Sequence, residues 1–423
     1  RYYNTKQSIN KEDNSIRNFL NKQIASLCKK LYDTNSVILK GKKMKRTMEK
    51  ISILSLSLVL TTSFSISSAL PAMFDFYKDY PADKVELLVS LPSIGIMVML
   101  LLNGLIERFL SERMMIVTGL VIMASCGFVP LLTQSYELIF LSRLIFGLGT
   151  GLINAKAISI ISERYQGHER VQLLGYRGSA EVVGTALLTF AVGQLLRFGW
   201  TATFLVYSFC FLVLGLFLLF VPYDKREVHH HKHSKQEKMT SGQFRFTLLS
   251  ALIAGVIVLS NTAITLRVPS LVLYHQIGTA ETASLILSAM QLIGIVAGVN
   301  FAPMVAFFKD RLLTIIGICF GLSLTLIGLS SNVWLLAFSA LFAGFTYSIT
   351  LTTVFHAVSE KIPPQLINQA VSIIVLGCSG GAAVTTFVLS LIGRLTQTPV
   401  VVLSILGVVM MLIAALSYNI TKE

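Results

Sequence analysis

The amino-acid sequence predicts an all-α membrane protein of about twelve transmembrane helices, arranged as two pseudo-symmetric six-helix bundles. Three observations carry this expectation. Of the 423 residues, 54% are hydrophobic and only 13% charged, with a mean hydropathy of +0.71, whereas a soluble domain carries about 25% charged residues. In water such a chain would expose far more apolar surface than soluble monomers present. Apolar runs of about twenty residues recur, each long enough to cross ~30 Å of hydrocarbon. The two halves also repeat one another at a nearly constant offset.

The first span, expected over 51–73, follows a basic stretch and ends at Leu70-Pro71. Lys78 and Lys84 separate it from the second, 85–106, and Arg108 and Arg113 separate that from the third, 114–132. The fourth is expected over 136–161, and Arg164 and Arg170 divide it from the fifth, 173–196. Beyond Arg197 comes the sixth, 201–221. Residues 222–245 are the longest internal hydrophilic stretch and divide six spans from six. The remaining spans are expected over 246–268, 282–305, 312–330, 333–357, 366–393 and 399–419. The chain thus reads as a basic N-terminal extension (1–50), an N-terminal six-helix bundle (51–221), a cytoplasmic central loop (222–245) and a C-terminal six-helix bundle (246–423).

The net charge of +14 is concentrated at the start. Residues 1–50 hold thirteen Lys or Arg against four Asp or Glu, which supplies +9. No nucleic-acid-binding motif accompanies that excess, so it reads as a cytoplasmic anchor. With the N-terminus inside, Arg108, Arg113, Arg164, Arg170, Lys225, Arg226, Lys232, Lys235, Lys238, Lys309, Arg311 and Lys361 all fall in cytoplasmic loops. The inward bias predicts a multi-pass protein of a bacterial-type plasma membrane with both termini cytoplasmic. Met44 or Met48 precedes the first apolar segment and is a candidate start, so no function is read from residues 1–43. The segment after Met44 resembles a signal peptide, but it lacks a small-residue cleavage site and is read as the first helix. Cys28, Cys126, Cys210, Cys319 and Cys378 have no metal-ligand spacing. The run His229, His230, His231, Lys232, His233 is either a metal-binding tract or a solvated linker.

The internal repeat spans several helix pairs. Pro71 recurs as Pro269, and Arg113 and Gly119 as Arg311 and Gly317, all at an offset of 198. Ser162-Glu163 recurs as Ser359-Glu360, and Gly184, Thr189 and Phe190 as Gly381, Thr386 and Phe387, at 197. Two similar helical bundles can rock about a site between them, which gives alternating access without a continuous pore. A carrier is therefore expected rather than a channel.

Three stretches resemble the major facilitator superfamily, over residues 51–423. Leu105-Ile106-Glu107-Arg108-Phe109 followed by Glu112-Arg113 resembles the family's acidic-Arg loop, with Glu107 for the usual Asp and Leu110 for the usual Gly. Arg143, Gly147, Gly149 and Gly151 resemble its fourth-span Arg and glycine pattern. The Leu70-Pro71 ending is common in drug-exporting branches. The Gly-Pro antiporter signature is missing from the fifth span, where Gly184-Thr185 stands. The resemblance implies a gating latch at Glu107, Arg108 and Arg113, with a weaker copy at Asp310 and Arg311. The plainer reading of those charges is a solvated turn.

Within the spans, charge marks function by default, since burying it costs at least ~2.5 kcal/mol by insertion scales. Arg143, Gly147, Thr150 and Asn154 share one helix face, so Arg143 is expected either to line the substrate cavity or to snorkel. Lys156 is read as a snorkelling candidate. Arg177 and Glu181 meet at i and i+4, as a structural pair or as a substrate and proton-coupling pair. In the second half, Asn261, Gln291 and Asn300 are candidate cavity residues. The stripe Thr346, Thr350, Thr353 reads as packing or cavity, and His356 could titrate.

The leading expectation is proton-coupled export of a small amphiphilic organic compound. The alternative is an importer, symporter or uniporter, of a small organic anion. A transport-dead sensor is the remote third reading. No enzyme is expected, since no nucleophile elbow, phosphate loop or metal-ligand set is present. No cofactor is expected beyond the proton gradient. The expected partners are a small-molecule substrate and the bilayer, with no nucleic acid, and the chain is read as a monomer.

Overall fold

The computed structural model describes residues 46–107, 109–157, 159–221, 239–363, 365–395 and 399–422. The extension before residue 46, Arg108, and the His229–His233 run lie outside the described residues. The chain divides into two compact units, residues 1–52 and residues 53–423.

The larger unit is helical throughout its described length. A 3-10 helix, Thr62–Ala69, runs into α1 (Leu70–Phe76). There follow α2 (Ala82–Ile106), α3 (Glu112–Leu132), α4 (Tyr136–Ala157), α5 (Ser159–Arg164) and α6 (Gly167–Leu195). The 3-10 helix Thr201–Ser208 precedes α7 (Phe209–Phe220). The second half comprises α8 (Ser241–Tyr274), α9 (Ala280–Phe308), α10 (Leu312–Gly328), α11 (Val333–Lys361), α12 (Ile367–Leu395) and α13 (Pro399–Lys422). Among the described residues nine helices are long and apolar enough to cross a membrane, or ten with the broken first span counted as one. Leu312–Gly328 and Val401–Leu416 are shorter apolar helices at two further expected positions.

Two of the departures from the expected spans have a clear local cause. Residues 241–245, expected in the central loop, belong to α8. Thr240 accepts from the Gln243 amide at 3.3 Å while the Gln243 side chain accepts from the Thr240 amide at 3.0 Å. This capping box satisfies two orphan donors and starts the helix early. The first span is not one continuous helix. Its centre reads Thr61-Thr62-Ser63-Phe64-Ser65-Ile66-Ser67-Ser68, and such side chains compete for backbone carbonyls. Thr62 donates to the Val59 carbonyl at 2.9 Å, and the backbone tightens to 3-10 geometry.

Close backbone approach through glycine holds each bundle together. A Cβ on Gly147 of α4 would overlap the Pro92 carbonyl of α2. One on Gly344 of α11 would overlap the Met290 carbonyl of α9. Likewise Gly184 of α6 meets the Leu58 carbonyl, and Gly381 of α12 meets the Gly255 carbonyl of α8. These contacts map onto one another at offsets of 197 and 198. The sequence repeat is thus a repeat of helix-packing geometry.

The bundles meet along α2 with α12 and α6 with α9, and among the described residues the side-chain bonds between them lie at one end. Ser90 of α2 and Thr386 of α12 share a hydrogen bond of 2.6 Å, and Ser390 donates to Asp83 at 3.4 Å. Arg197 makes two bonds to Glu281, at 2.7 and 2.9 Å. All these residues lie towards the 77–81 turn. Along α2 the stripe Glu86, Ser90, Met97, Leu101 faces the other bundle. Glu86 and Ser90 are 2% and 0% exposed, whereas Leu101 is 63% exposed. The buried residues of α2 stop at Gly95, and those of α9 stop at Met290 apart from Ala297. Among the described residues the bundles are therefore closed at the 77–81 end and open at the other, near Glu107 and Arg311.

Candidate functional site: the cavity between the bundles

Arg177 and Glu181 stand one turn apart on α6. Nη2 lies 3.6 Å from Oε2, with side chains 16% and 28% exposed. The distance is that of an ion pair rather than a good hydrogen bond. The Arg177 Nε is buried and has no hydrogen-bond partner among the described residues. Across the interface, Tyr347 of α11 is within electrostatic reach of both Glu181 and Cys378 of α12. The Arg177–Glu181 pair is under-satisfied, so it can exchange a proton or a partner. The opening begins at this level of the bundle, where Met97 Sδ is the nearest atom that a Cβ on Gly380 would meet, at 3.8 Å.

Of the second-half candidates, Asn261 has a buried Oδ1 without a hydrogen-bond partner among the described residues, and Gln291 is half-buried. Asn300 is exposed and donates to the Val296 carbonyl of its own helix at 2.8 Å. Thr346, Thr350 and Thr353 are buried and each bonds back to its own helix at 2.7 Å. His356 lies 3.4 Å from Glu360 and edge-on to Phe301.

Arg143 does not line the cavity, and it does not snorkel. It is 1% exposed within the N-terminal bundle. Pro92 has no N–H, which frees the Leu88 carbonyl one turn earlier in α2. Arg143 Nε donates to that carbonyl at 2.9 Å. Nη2 donates to the Ser63 carbonyl in the 3-10 segment at 2.8 Å, and Nη1 to the Tyr207 hydroxyl at 3.1 Å. The rings of Phe146, Tyr207 and Phe204 lie 4.9, 5.4 and 5.7 Å from the guanidinium carbon. Arg143 therefore caps two irregular backbone segments at once. Its face is a packing face: Gly147 abuts α2, Thr150 is fully buried and bonds the Phe146 carbonyl at 3.0 Å, and Asn154 is half-buried.

At the open end, Glu107 accepts from Lys156 and Asn103, both at 2.7 Å. Lys156 thus has an ion-pair partner within its own bundle. Arg113 donates to the Val221 carbonyl at 2.6 Å and lies over the Phe217 ring, tying α3 to α7. Arg311 is exposed.

One functional candidate escaped the sequence reading, which placed no buried carboxylate in the first two spans. Glu86 of α2 is 2% exposed and pairs with Arg267 of α8 across the bundles, Oε1 to Nη1 at 2.5 Å. Glu86 stands one residue inside the expected start of its span, which makes it look like an interfacial charge. Among the described residues no cluster of His, Cys, Asp and Glu could hold a metal ion.

The fold matches solved transporters. A D-xylose-proton symporter aligns with a TM-score of 0.73 at 15% identity, covering 87% of this chain and 97% of that one. A nucleoside transporter aligns at 0.68 and 12% identity, covering 88% and 98%. A bacterial homologue of the human lysosomal transporter Spinster, inward-facing and unoccupied, aligns at 0.67 and 15%, covering 89% and 97%. A comparison with curated proteins gives no match. The sequence itself matches the model of one family over residues 52–383, three-quarters of the chain and both bundles. With twin bundles and that match, the chain belongs to the Major Facilitator Superfamily.

Proposed function

We propose that this secondary transporter exports a small amphiphilic organic compound against a proton gradient, by alternating access. The observation that carries the reading is the Arg177–Glu181 pair on α6, with Tyr347 of the other bundle within electrostatic reach of Glu181. An ionisable pair there can lose its carboxylate charge in one state and recover it in the other. The walls towards the open end favour an apolar cargo: Leu101 and Leu105 of α2 are 63% and 52% exposed. The inward bias of basic loop residues supports a plasma-membrane protein with both termini cytoplasmic and the open end facing the cytoplasm. The proton gradient is the energy source, and a single chain is sufficient.

A second reading, symport of a small organic anion, draws on the unpartnered Arg177 Nε, a spare donor for a carboxylate. Glu181→Gln in proteoliposomes tests the coupling. Loss of gradient-driven movement with energy-independent exchange retained is expected. A stable Gln variant that still pumps uphill at the parent's rate and pH dependence would sink it. Gradient-dependent uptake of an anion, instead of exclusion of a lipophilic dye, would favour the second reading.

A further inference from the structure

Glu86 and Arg267 are nearly dry, with side chains 2% and 17% exposed. Neither charge is stable alone in such surroundings, so each depends on the other. They also join the two bundles at the closed end.

The internal repeat shows that the position of Glu86 does not itself require charge. Ser284 of α9 is the counterpart of Glu86, at the offset of 198. It packs against Gly193 of α6, where any Cβ would meet the Ser284 side chain. At that position the seam closes by small-residue packing. The Glu86–Arg267 pair, which joins α2 to α8, has no charged counterpart: Ser284 and Ala69 stand at the matching positions.

The seams differ in a second way. Asp83 and Arg394 are the repeat counterparts of Glu281 and Arg197. Arg197 and Glu281 clasp one seam with two bonds. Asp83 and Arg394 instead line a cavity of about 470 Å³, together with Lys84, Ser390 and the Glu86–Arg267 pair. Lys84 and Arg394 are exposed at its rim. Glu86 thus has an approach for water and protons that avoids the central cavity.

We propose that Glu86 and Arg267 form a proton-released lock on the closed end. Protonation of Glu86 from the rim cavity cancels the pair and leaves Arg267 as an uncompensated buried charge. That charge is relieved when the seam parts and water enters. The other charges near Glu86 are Asp83 and Lys84 on its own helix, and Arg394 on α12. The Tyr136 hydroxyl of α4 donates to the Lys84 carbonyl at 3.0 Å, with Glu137 beside it. Asp75 at the end of α1 is exposed. Among the described residues Arg267 is the cation within ion-pair distance of Glu86. The lock rests on the alternating-access reading above and adds to it a separate proton site.

The test reads accessibility, without substrate or gradient. Ser93, 2% exposed, lies two turns from Glu86 on the interface side of α2. Ser93→Cys is introduced into the full chain with its native cysteines replaced. The protein in proteoliposomes is then treated with a membrane-impermeant maleimide from the 77–81 side. Maleimide reacts with the thiolate, so each rate is divided by that of a fully exposed reference cysteine at the same pH; the normalised labelling is expected to be slow at about pH 8 and at least about tenfold faster at about pH 5. Glu86→Gln should label fast at both, and Glu86→Arg with Arg267→Glu should restore slow labelling at the higher pH. The proposal is overturned if Glu86→Gln labels as slowly as the parent, or if the parent's pH dependence persists in it. Should Glu86→Gln fail to reach the membrane, Glu86→Asp decides: faster, still pH-dependent labelling supports the lock, and parent-like labelling counts against it. Intact pH-dependent labelling without gradient-driven transport would remove the proposed function alone. Intact transport with pH-independent labelling would remove the lock alone.

Discussion

At the scale of single residues, charge inside a span was legible and its target was not. Helical periodicity groups Arg143 with Gly147 and Thr150, but it cannot say what that face meets. The structure turns it towards α2 and the 3-10 segment, where a proline and a serine-rich break leave carbonyls to satisfy. Arg143→Ala would take the donor from two buried carbonyls and leave the Tyr207 hydroxyl only its bond to the Thr62 carbonyl, at a cost of roughly 3 kcal/mol or more. Arg143→Lys has one donor centre in place of a fork, so it should recover less than half of that loss. Thermal melting of the purified variants checks both, and an Ala variant that melts with the parent refutes the capping role. Glu86 was hidden for the opposite reason. Its partner Arg267 is distant in sequence, and only the fold sets the two 2.5 Å apart. Arg177 and Glu181 were legible as a pair because they share a helix turn.

At the scale of elements, the positions of the helices follow from hydropathy, because the bilayer requires an apolar run wherever a helix crosses. The break in the first span was not legible, since its serines and threonines are as compatible with a helix face as with a 3-10 turn. The glycine contacts give a sharper test. Gly147→Val and Gly344→Val each drive a side chain into a facing carbonyl, at a cost of roughly 1–3 kcal/mol or more. Both should lower the yield of monodisperse protein in detergent. Gly104→Ala and Gly298→Ala meet nothing within 4 Å and should leave it unchanged. Equal yields across the four variants would remove the packing argument.

At the scale of the whole molecule, the twofold plan was legible as an offset between halves, whereas the open and closed ends were not. That distinction depends on which interface residues touch, and a linear pattern holds no such information. The assignment of the open end to the cytoplasm predicts that a reporter fused after Lys232 is active only inside the cell. Activity outside would invert the assignment. The paired glycine contacts carry a consequence for ancestry. A backbone contact that excludes any side chain cannot drift after a gene is duplicated, and Gly147 with Gly344, and Gly184 with Gly381, have stayed. Arg143, Arg177 and Glu181 face no such constraint, and their counterparts in the second copy are Ala340, Ile374 and Cys378. Descent from one unit has left two copies with the same joints and different labour: the first carries Arg143, Arg177 and Glu181, and the second has uncharged residues where these stand.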